Sequence, residues 1–298
     1  MPEITRRRTG ELLRGLFEVL MPIPDGMQAR NALQALAIKV PPTQYESGSY
    51  PSGRRFEKIV RFGTVDCVKA GWLQKNKGRW LVTEAGKAAY SNWSDAEAFY
   101  KQAVKLYNEW KASQPESSIE VTPEPEDQPT GKVATITYEE AEEHAWVEIE
   151  AYLRGMNPYD FQELVASLLR AMGYHVSWVA PPGKDGGKDI LAWNDPLGTR
   201  PPRIKVQVKR QIASVSVDGL RSFMAVLGDD DVGLFVSTGG FTKDAADEAR
   251  TQEKRKVTLI NLERLFDLWV EHYGKLTDEA RSRFPLRPIH FLAPESSL

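Results

Sequence analysis

Apolar residues recur every three or four positions through the first hundred residues and at alternate positions in much of the second half, so the chain changes from helical to mixed patterning. Helical spacing covers Thr9 to Leu20 and Met27 to Ile38, and a third helical stretch starts near Arg54 and stops at Gly71. Strand-like segments at Trp72 to Gln74 and Arg79 to Thr83 flank the turn sequence KNKG, and further helices follow from Glu84 and from Asp95 to Trp110. Three helices and a wing predict a mainly α winged helix-turn-helix domain over residues 1–111. The stretch WKASQPESSIEVTPEPEDQPTGKVA then loses all apolar period, which predicts a Pro, Ser and Glu-rich acidic linker at 112–134.

The remaining residues, 135–298, read as a second domain. Thr137 and Glu140 have the spacing of a capping box. Asn157 and Pro158 open a helix in which Phe161, Leu164, Val165, Leu168, Leu169 and Met172 recur until Gly173. Strands are predicted at Tyr174 to Ala180, Asp189 to Trp193 and Ile204 to Arg210. A helix over Val217 to Leu227, a strand over Val232 to Ser237, a helix after Thr242, a strand over Lys256 to Ile260 and a helix from Leu262 complete the order. Such an α-β-β-β-α-β-α-β-α series predicts an α/β fold with a mixed sheet flanked by helices on both faces.

With 298 residues, 41% of them hydrophobic, each domain has enough apolar material for its own core. No stretch reaches the roughly 18 apolar residues of a membrane span, and MPEITRRRTG leads into an amphipathic helix instead of a signal-peptide core, so a soluble cytoplasmic protein is expected. The single cysteine, Cys67, excludes an internal disulfide and reads as a small buried apolar residue.

The net charge of -2 conceals a strong asymmetry. Residues 1–90 hold 15 Lys and Arg against 8 Asp and Glu, whereas 113–150 hold 11 acids and one lysine. A basic first domain suits a polyanion, and the acidity that follows either solubilises the chain or competes with DNA for that domain. On the third helix Phe56, Ile59, Val60 and Cys67 share one side, with Arg54, Lys58, Arg61 and Lys69 opposite. Together with Arg55 and the wing residues Lys75, Lys77 and Arg79, the residues Arg54, Lys58 and Arg61 form the candidate DNA-binding set; an ordinary solvated face is the plainer reading.

In the second domain GKDGGKDI precedes the strand IKVQVKR. Alternation puts Ile204, Val206 and Val208 on a core face and Lys205, Gln207 and Lys209 on the other, beside Asp189 if the two strands are neighbours. Gly183, Gly186 and Gly187 would let a phosphodiester approach the backbone, and Asp185 is either a helper acid or a turn residue. The loop lacks phosphate-binding P-loop spacing, and His144, His175, His272 and His290 lack the spacing of a histidine metal site. Ser237, Thr238 and the run to Thr242 read either as phosphate contacts or as a helix-capping loop.

The ordered series FQELVASLLRAMGY, GKDGGKDI, QVKR and VSTGGFTKDAADEA, over roughly 157–270, resembles the Mrr-type restriction endonuclease domain, a branch of the PD-(D/E)xK nuclease superfamily. LVTEAGKAAY similarly resembles the end of that family's N-terminal winged-helix domain. The resemblance implies that Asp189 binds a divalent metal, that Gln207 stands where the superfamily has a second acid, and that Lys209 is the catalytic lysine. The family often has glutamate where this chain has Gln162; on a helical wheel Gln162 lies at the edge of the apolar stripe and Glu163 points away, so Gln162 joins Asp189, Gln207 and Lys209 as a candidate catalytic residue. Mg²⁺, with Mn²⁺ as a substitute, would be held by Asp189, the Gln207 amide and the Val208 carbonyl. The implied activity is endonucleolytic restriction of foreign or modified double-stranded DNA, methylated DNA included. One site cuts one strand, so a homodimer or larger assembly is expected. Two other readings stand beside this one: a non-catalytic DNA-binding regulator, and a repair or junction-resolving nuclease.

Overall fold

The computed structural model describes residues 4–50, 53–113, 130–181 and 189–290. It divides into two compact units, one reaching to Val147 and the other running from Glu148 to Ile289.

In the first unit, helix α1 (Arg6–Leu20) starts where the Thr5 hydroxyl accepts from the Arg8 amide, and it buries Leu12, Leu13, Leu16, Phe17 and Leu20. Strand β1 (Met27–Gln28) leads into α2 (Ala29–Lys39). The helical spacing from Met27 thus overshoots by two residues, which are drawn into antiparallel pairing with Trp80 and Arg79. The short antiparallel pair β2 (Ser49–Tyr50) and β3 (Gly53–Arg54) precedes α3 (Arg55–Lys69). A hairpin follows, β4 (Leu73–Asn76) and β5 (Arg79–Val82), giving a three-stranded sheet in the order β1-β5-β4. Lys77 and Gly78 at its tip have φ of 47° and 72°, the left-handed pair that a two-residue hairpin turn requires. Helices α4 (Glu84–Asn92) and α5 (Ala96–Ala112) are capped by Thr83 and Asp95. Phe17 meets Phe99 edge-on at 5.2 Å, tying α1 to α5 in one core with Leu36, Trp72 and Trp80. Each such large side chain contributes about 1.5–3 kcal/mol of burial.

Helix α6 (Thr130–Gly155) corrects the sequence boundary. It starts before the capping-box spacing at Thr137, and its residues up to Val147 belong to the first unit instead of opening the second at 135. The cause is packing: Ile136 is buried with Val65 and Tyr107, and Phe62 and Trp110 lie against the same cluster.

In the second unit, α7 (Pro158–Ala171) begins at the Asn157 cap and is followed by Gly173 at φ 97°. Strands β6 (His175–Val179), β7 (Ile190–Trp193) and β8 (Arg203–Lys209) come next, then α8 (Val217–Ala225), β9 (Asp231–Ser237), α9 (Lys243–Thr251), β10 (Val257–Ile260) and α10 (Leu262–Glu271). The sheet order is β10-β9-β8-β7-β6, parallel from β10 to β8 and antiparallel from β8 to β6. One face carries Val232, Leu234 and Val236 under α7 and α10. The other places Phe235 under α8 and α9, with Leu220, Phe223 and Ala245. Both faces are therefore covered, as the alternation of helices and strands implies. A final helix, α11 (Asp278–Arg283), escapes sequence reading because six residues hold too little period; Phe284 after it packs on Trp269 at 5.8 Å. Among the described residues no helix is long and apolar enough to cross a membrane.

Candidate active site

Asp189 immediately precedes β7, and its main chain is locked on both sides: its amide donates to the Val206 carbonyl at 2.8 Å and its carbonyl accepts from the Ala180 amide at 2.8 Å. Ile190 pairs with Val206, so Asp189 sits at the end of the ladder beside the Val206 to Val208 stretch of β8. Its carboxylate Oδ2 accepts from the Val208 amide at 2.6 Å. The structure thus brings Asp189, Gln207 and Val208 together at one place on the sheet. Lys209, two residues beyond Gln207 and on the same face, is exposed at the strand end.

The lysine face of β8 is not open along its length, contrary to the simple alternation. Lys205 is buried because its ammonium donates to the Val226 carbonyl at 2.6 Å and pairs with Asp231 at 2.8 Å. Arg203 also reaches Asp231, at 2.8 Å. Burial alone would raise the Asp231 carboxyl, but the hydrogen bonds from Arg203, Lys205 and the Gly228 amide outweigh it and hold the group well below the usual carboxylate range. This end of the strand is anchored by α8 and its following turn; the strand opens towards Gln207, which is half-buried, and Lys209.

Gln162 is buried, and its amide nitrogen donates to the Ala180 carbonyl at 2.8 Å. Ala180 in turn pairs with Asp189, so Gln162 fixes the strand edge that carries the acid. Glu163 faces away, as its place on the helix requires, and pairs with Arg170 at 2.5 Å. Gly183, Asp185, Gly186 and Gly187 lie outside the described residues. Among the described residues no three His, Cys, Asp or Glu side chains gather as a metal cluster.

Ser237 stands in register with Lys209, and its buried hydroxyl has no hydrogen-bond partner among the described residues. Thr238 bridges the two strand ends: its amide donates to the Lys209 carbonyl at 3.0 Å, and its hydroxyl accepts from the Gln211 amide at 2.9 Å. Sequence reading missed Arg154 and Arg210 beside these residues. The Arg154 guanidinium contacts the Thr238 carbonyl at 3.4 Å, and the Arg154 carbonyl accepts from Arg210 at 2.7 Å. Helical period gave no signal for Arg154, because only the tertiary fold brings the end of α6 to the ends of β8 and β9.

In the first unit, the cationic residues do not share one open face. Arg54 is exposed and pairs with Glu57 at 3.6 Å, while Arg55 donates to the Tyr45 carbonyl at 3.0 Å and lies 4.1 Å from its ring. Lys58 is half-buried, and Arg79 donates to the Gly26 carbonyl at 3.1 Å. Arg61, Lys75 and Lys77 depart furthest from a solvated basic face. Arg61 pairs with Glu143 at 2.7 Å and Glu140 at 3.6 Å, and Lys75 pairs with Glu139 at 2.6 Å. The side chains of Arg61 and Lys75 retain only 7% exposure each, and Lys77 is buried with its ammonium 5.3 Å from the Trp146 ring. The wheel failed here because α3 is enclosed: Thr64, Asp66 and Cys67 are fully buried as well.

The mixed sheet, with helices on both its faces, carries Asp189 at the start of β7 and Gln207 and Lys209 on the neighbouring β8. Residues 153–269 match the Mrr_cat restriction endonuclease family model. Over 278 residues the chain is 26% identical to the type IV methyl-directed restriction enzyme EcoKMrr of Escherichia coli strain K12, spanning 84% of this chain and 87% of that protein. Two solved structures overlap more loosely. One is the MspJI restriction endonuclease in complex with a 27-mer oligonucleotide, at 18% identity and TM-score 0.32, over 68% of this chain and 47% of that one. The other is the DNA modification-dependent restriction endonuclease AspBHI, at 14% identity and TM-score 0.36, over 70% and 58%.

Proposed function

We propose that this chain is a Mg²⁺-dependent endonuclease that hydrolyses the phosphodiester bonds of foreign or modified duplex DNA, methylated DNA included, and that its first unit is a winged-helix module that contacts the duplex. The observation that carries this reading is Asp189 held against β8 by the Val208 amide, beside Gln207 and two residues from the exposed Lys209 on the same strand, within the residues that match a restriction endonuclease family. The similarity to a methyl-directed enzyme over most of both chains supports the choice of substrate.

The donor set suits a hard divalent cation. A carboxylate on Asp189, an amide oxygen on Gln207 and the Val208 carbonyl are oxygen ligands, and Mg²⁺ characteristically combines one or two carboxylates with waters and substrate phosphate. When bound there, the ion would supply charge stabilisation at the scissile phosphate and polarise a nucleophilic water. Asp189 is held for this role by the Val208 amide, which fixes one carboxylate oxygen, and by main-chain bonds on both sides. Lys209 extends from the strand end, where its ammonium can orient the attacking water and offset the charge that accumulates on the phosphoryl oxygens. Gln162 acts as a positioning residue through Ala180. A break in both strands requires two such sites, so the active species is a homodimer or larger assembly.

The test is cleavage of supercoiled plasmid, methylated and unmethylated, with Mg²⁺ or with EDTA. Metal-dependent nicking or linearisation, stronger on the methylated plasmid, is expected. Glutamine in place of an acid at both 162 and 207 favours a second reading, a DNA-binding regulator without catalysis. That reading predicts binding of both plasmids, indifferent to EDTA, and no cutting.

A further inference from the structure

Three carboxylates and an indole on one face of α6 meet the cations of α3 and the hairpin. Glu139, Glu142, Glu143 and Trp146 follow the spacing of a single helical face. Glu139 takes Lys75 at 2.6 Å, Glu143 takes Arg61 at 2.7 Å, the Lys77 amide donates to Glu142, and Trp146 lies against the Lys77 ammonium. Gly78 is needed at the contact, since a Cβ there would come within 2.7 Å of the Glu143 side chain.

The energetics of this contact make it replaceable. Burying ion pairs costs desolvation that roughly cancels their attraction, so the acidic cover adds little net stability. Burial pushes the Glu142 carboxyl up and the Lys75 ammonium down, which shows both charges held in an unfavourable medium. One guanidinium nitrogen of Arg61, Nη1, is buried without a hydrogen-bond partner among the described residues. The apolar seat is local, with Ile136 set against Val65 and Tyr107 and flanked by Phe62 and Trp110. A duplex backbone supplies several anionic oxygens to the same cations and gains the release of its counterions.

We propose that the patch formed by Arg61, Lys75 and Lys77 is a binding surface for duplex phosphates, and that the acidic face of α6 occupies it in the DNA-free protein as an internal competitor. This rests on the DNA-binding reading of the first unit and adds its regulation. DNA gains access by displacing the Glu139 to Trp146 segment, so affinity is set by competition as well as by contact.

The full-length chain in EDTA, bound to a fluorescent duplex and followed by anisotropy, provides the test. The triple variant Glu139→Gln, Glu142→Gln, Glu143→Gln should bind about tenfold tighter than wild type or better, with a log Kd against log salt dependence steeper by about two to three phosphate contacts. Adding Arg61→Ala and Lys75→Ala to the triple variant should abolish the gain. A control triple on acids elsewhere in the unit, Glu84→Gln, Glu97→Gln, Glu109→Gln, should change affinity by less than about twofold, which separates uncovering from a general change of charge. Ile136→Ser loosens the seat without altering charge and should also tighten binding. Thermal melts establish that each variant is folded. If wild type binds duplex and neither the acidic triple nor Ile136→Ser binds tighter, the competitor role is overturned while DNA binding by the chain stands. Should both triples tighten binding equally, the effect is bulk charge and the competitor role fails. If neither wild type nor any variant binds duplex, the DNA-binding reading fails and the proposal with it.

Discussion

Asp189 and Asp231 are both buried carboxylates on one face of the same sheet, yet their surroundings give them different roles. Asp231 is held by Arg203, Lys205 and the Gly228 amide, so its charge is fully matched and its role is structural. Its folded carboxyl lies below its unfolded value, so its stabilisation is complete above about pH 4 and is lost as pH falls towards the folded value. Asp231→Asn should lower stability at pH 7 by about 3 kcal/mol, because Lys205 then stays buried without its counter-charge, and the difference from wild type should shrink on acidification. Denaturant melts across pH 3 to 7 measure both effects. Asp189 accepts from the Val208 amide beside Gln207, at the end of β8 that leads to the exposed Lys209. Replacing Lys209 by Ala should reduce single-turnover cleavage by about 10²–10³-fold. Binding in EDTA should weaken by no more than about threefold, since a single phosphate contact is lost. The strand sequence alone indicated that Gln207 and Lys209 share a face, because strand alternation is a local property. It could not show that Lys205, two residues earlier on that face, is sealed by Asp231, because that partner arrives from β9 across a helical crossover.

At the scale of elements, capping residues and turn glycines made most boundaries readable. Thr83, Asp95, Asn157 and Thr242 each accept the backbone amide that their position predicts, and the helices start there. The strand order β10-β9-β8-β7-β6 was not readable beyond its mixed character, since pairing depends on contacts distant in sequence. The extent of α6 was misjudged for a related reason: a composition rich in Pro and acids ends at Thr130, but the place where the helix stops serving the first unit is set by contacts of Ile136, Glu139 and Glu143 with α3, α5 and the hairpin. The basic wheel of α3 misled because a wheel reports charge on a face and says nothing of what covers it. A Cβ on Gly86 would fall 2.1 Å from the Trp72 carbonyl, so α4 can pack against the hairpin entrance only with glycine at this position. Gly86→Ala should destabilise the first unit by about 1–3 kcal/mol through overpacking, seen as a lower melting midpoint, with single-turnover rates of bound DNA unchanged.

For the whole molecule, charge is divided along the chain between a basic first unit, an acidic stretch through α6, and a second unit that holds Asp189, Gln207 and Lys209, the residues proposed for cleavage. One cleavage site acts on one strand, so light scattering of the Asp189→Asn chain with a methylated duplex should give a mass containing at least two copies, and a persistent one-to-one complex would contradict double-strand cutting by this chain alone. The most direct test of the central claim is plasmid cleavage by wild type and Asp189→Asn in parallel, with Mg²⁺ or EDTA, alongside duplex binding in EDTA. Wild type should cut only with Mg²⁺, Asp189→Asn should not cut above the EDTA background, and the two proteins should bind duplex equally. Cutting that persists in Asp189→Asn, or binding by both proteins with no cutting by either, would contradict a phosphodiesterase centred on Asp189.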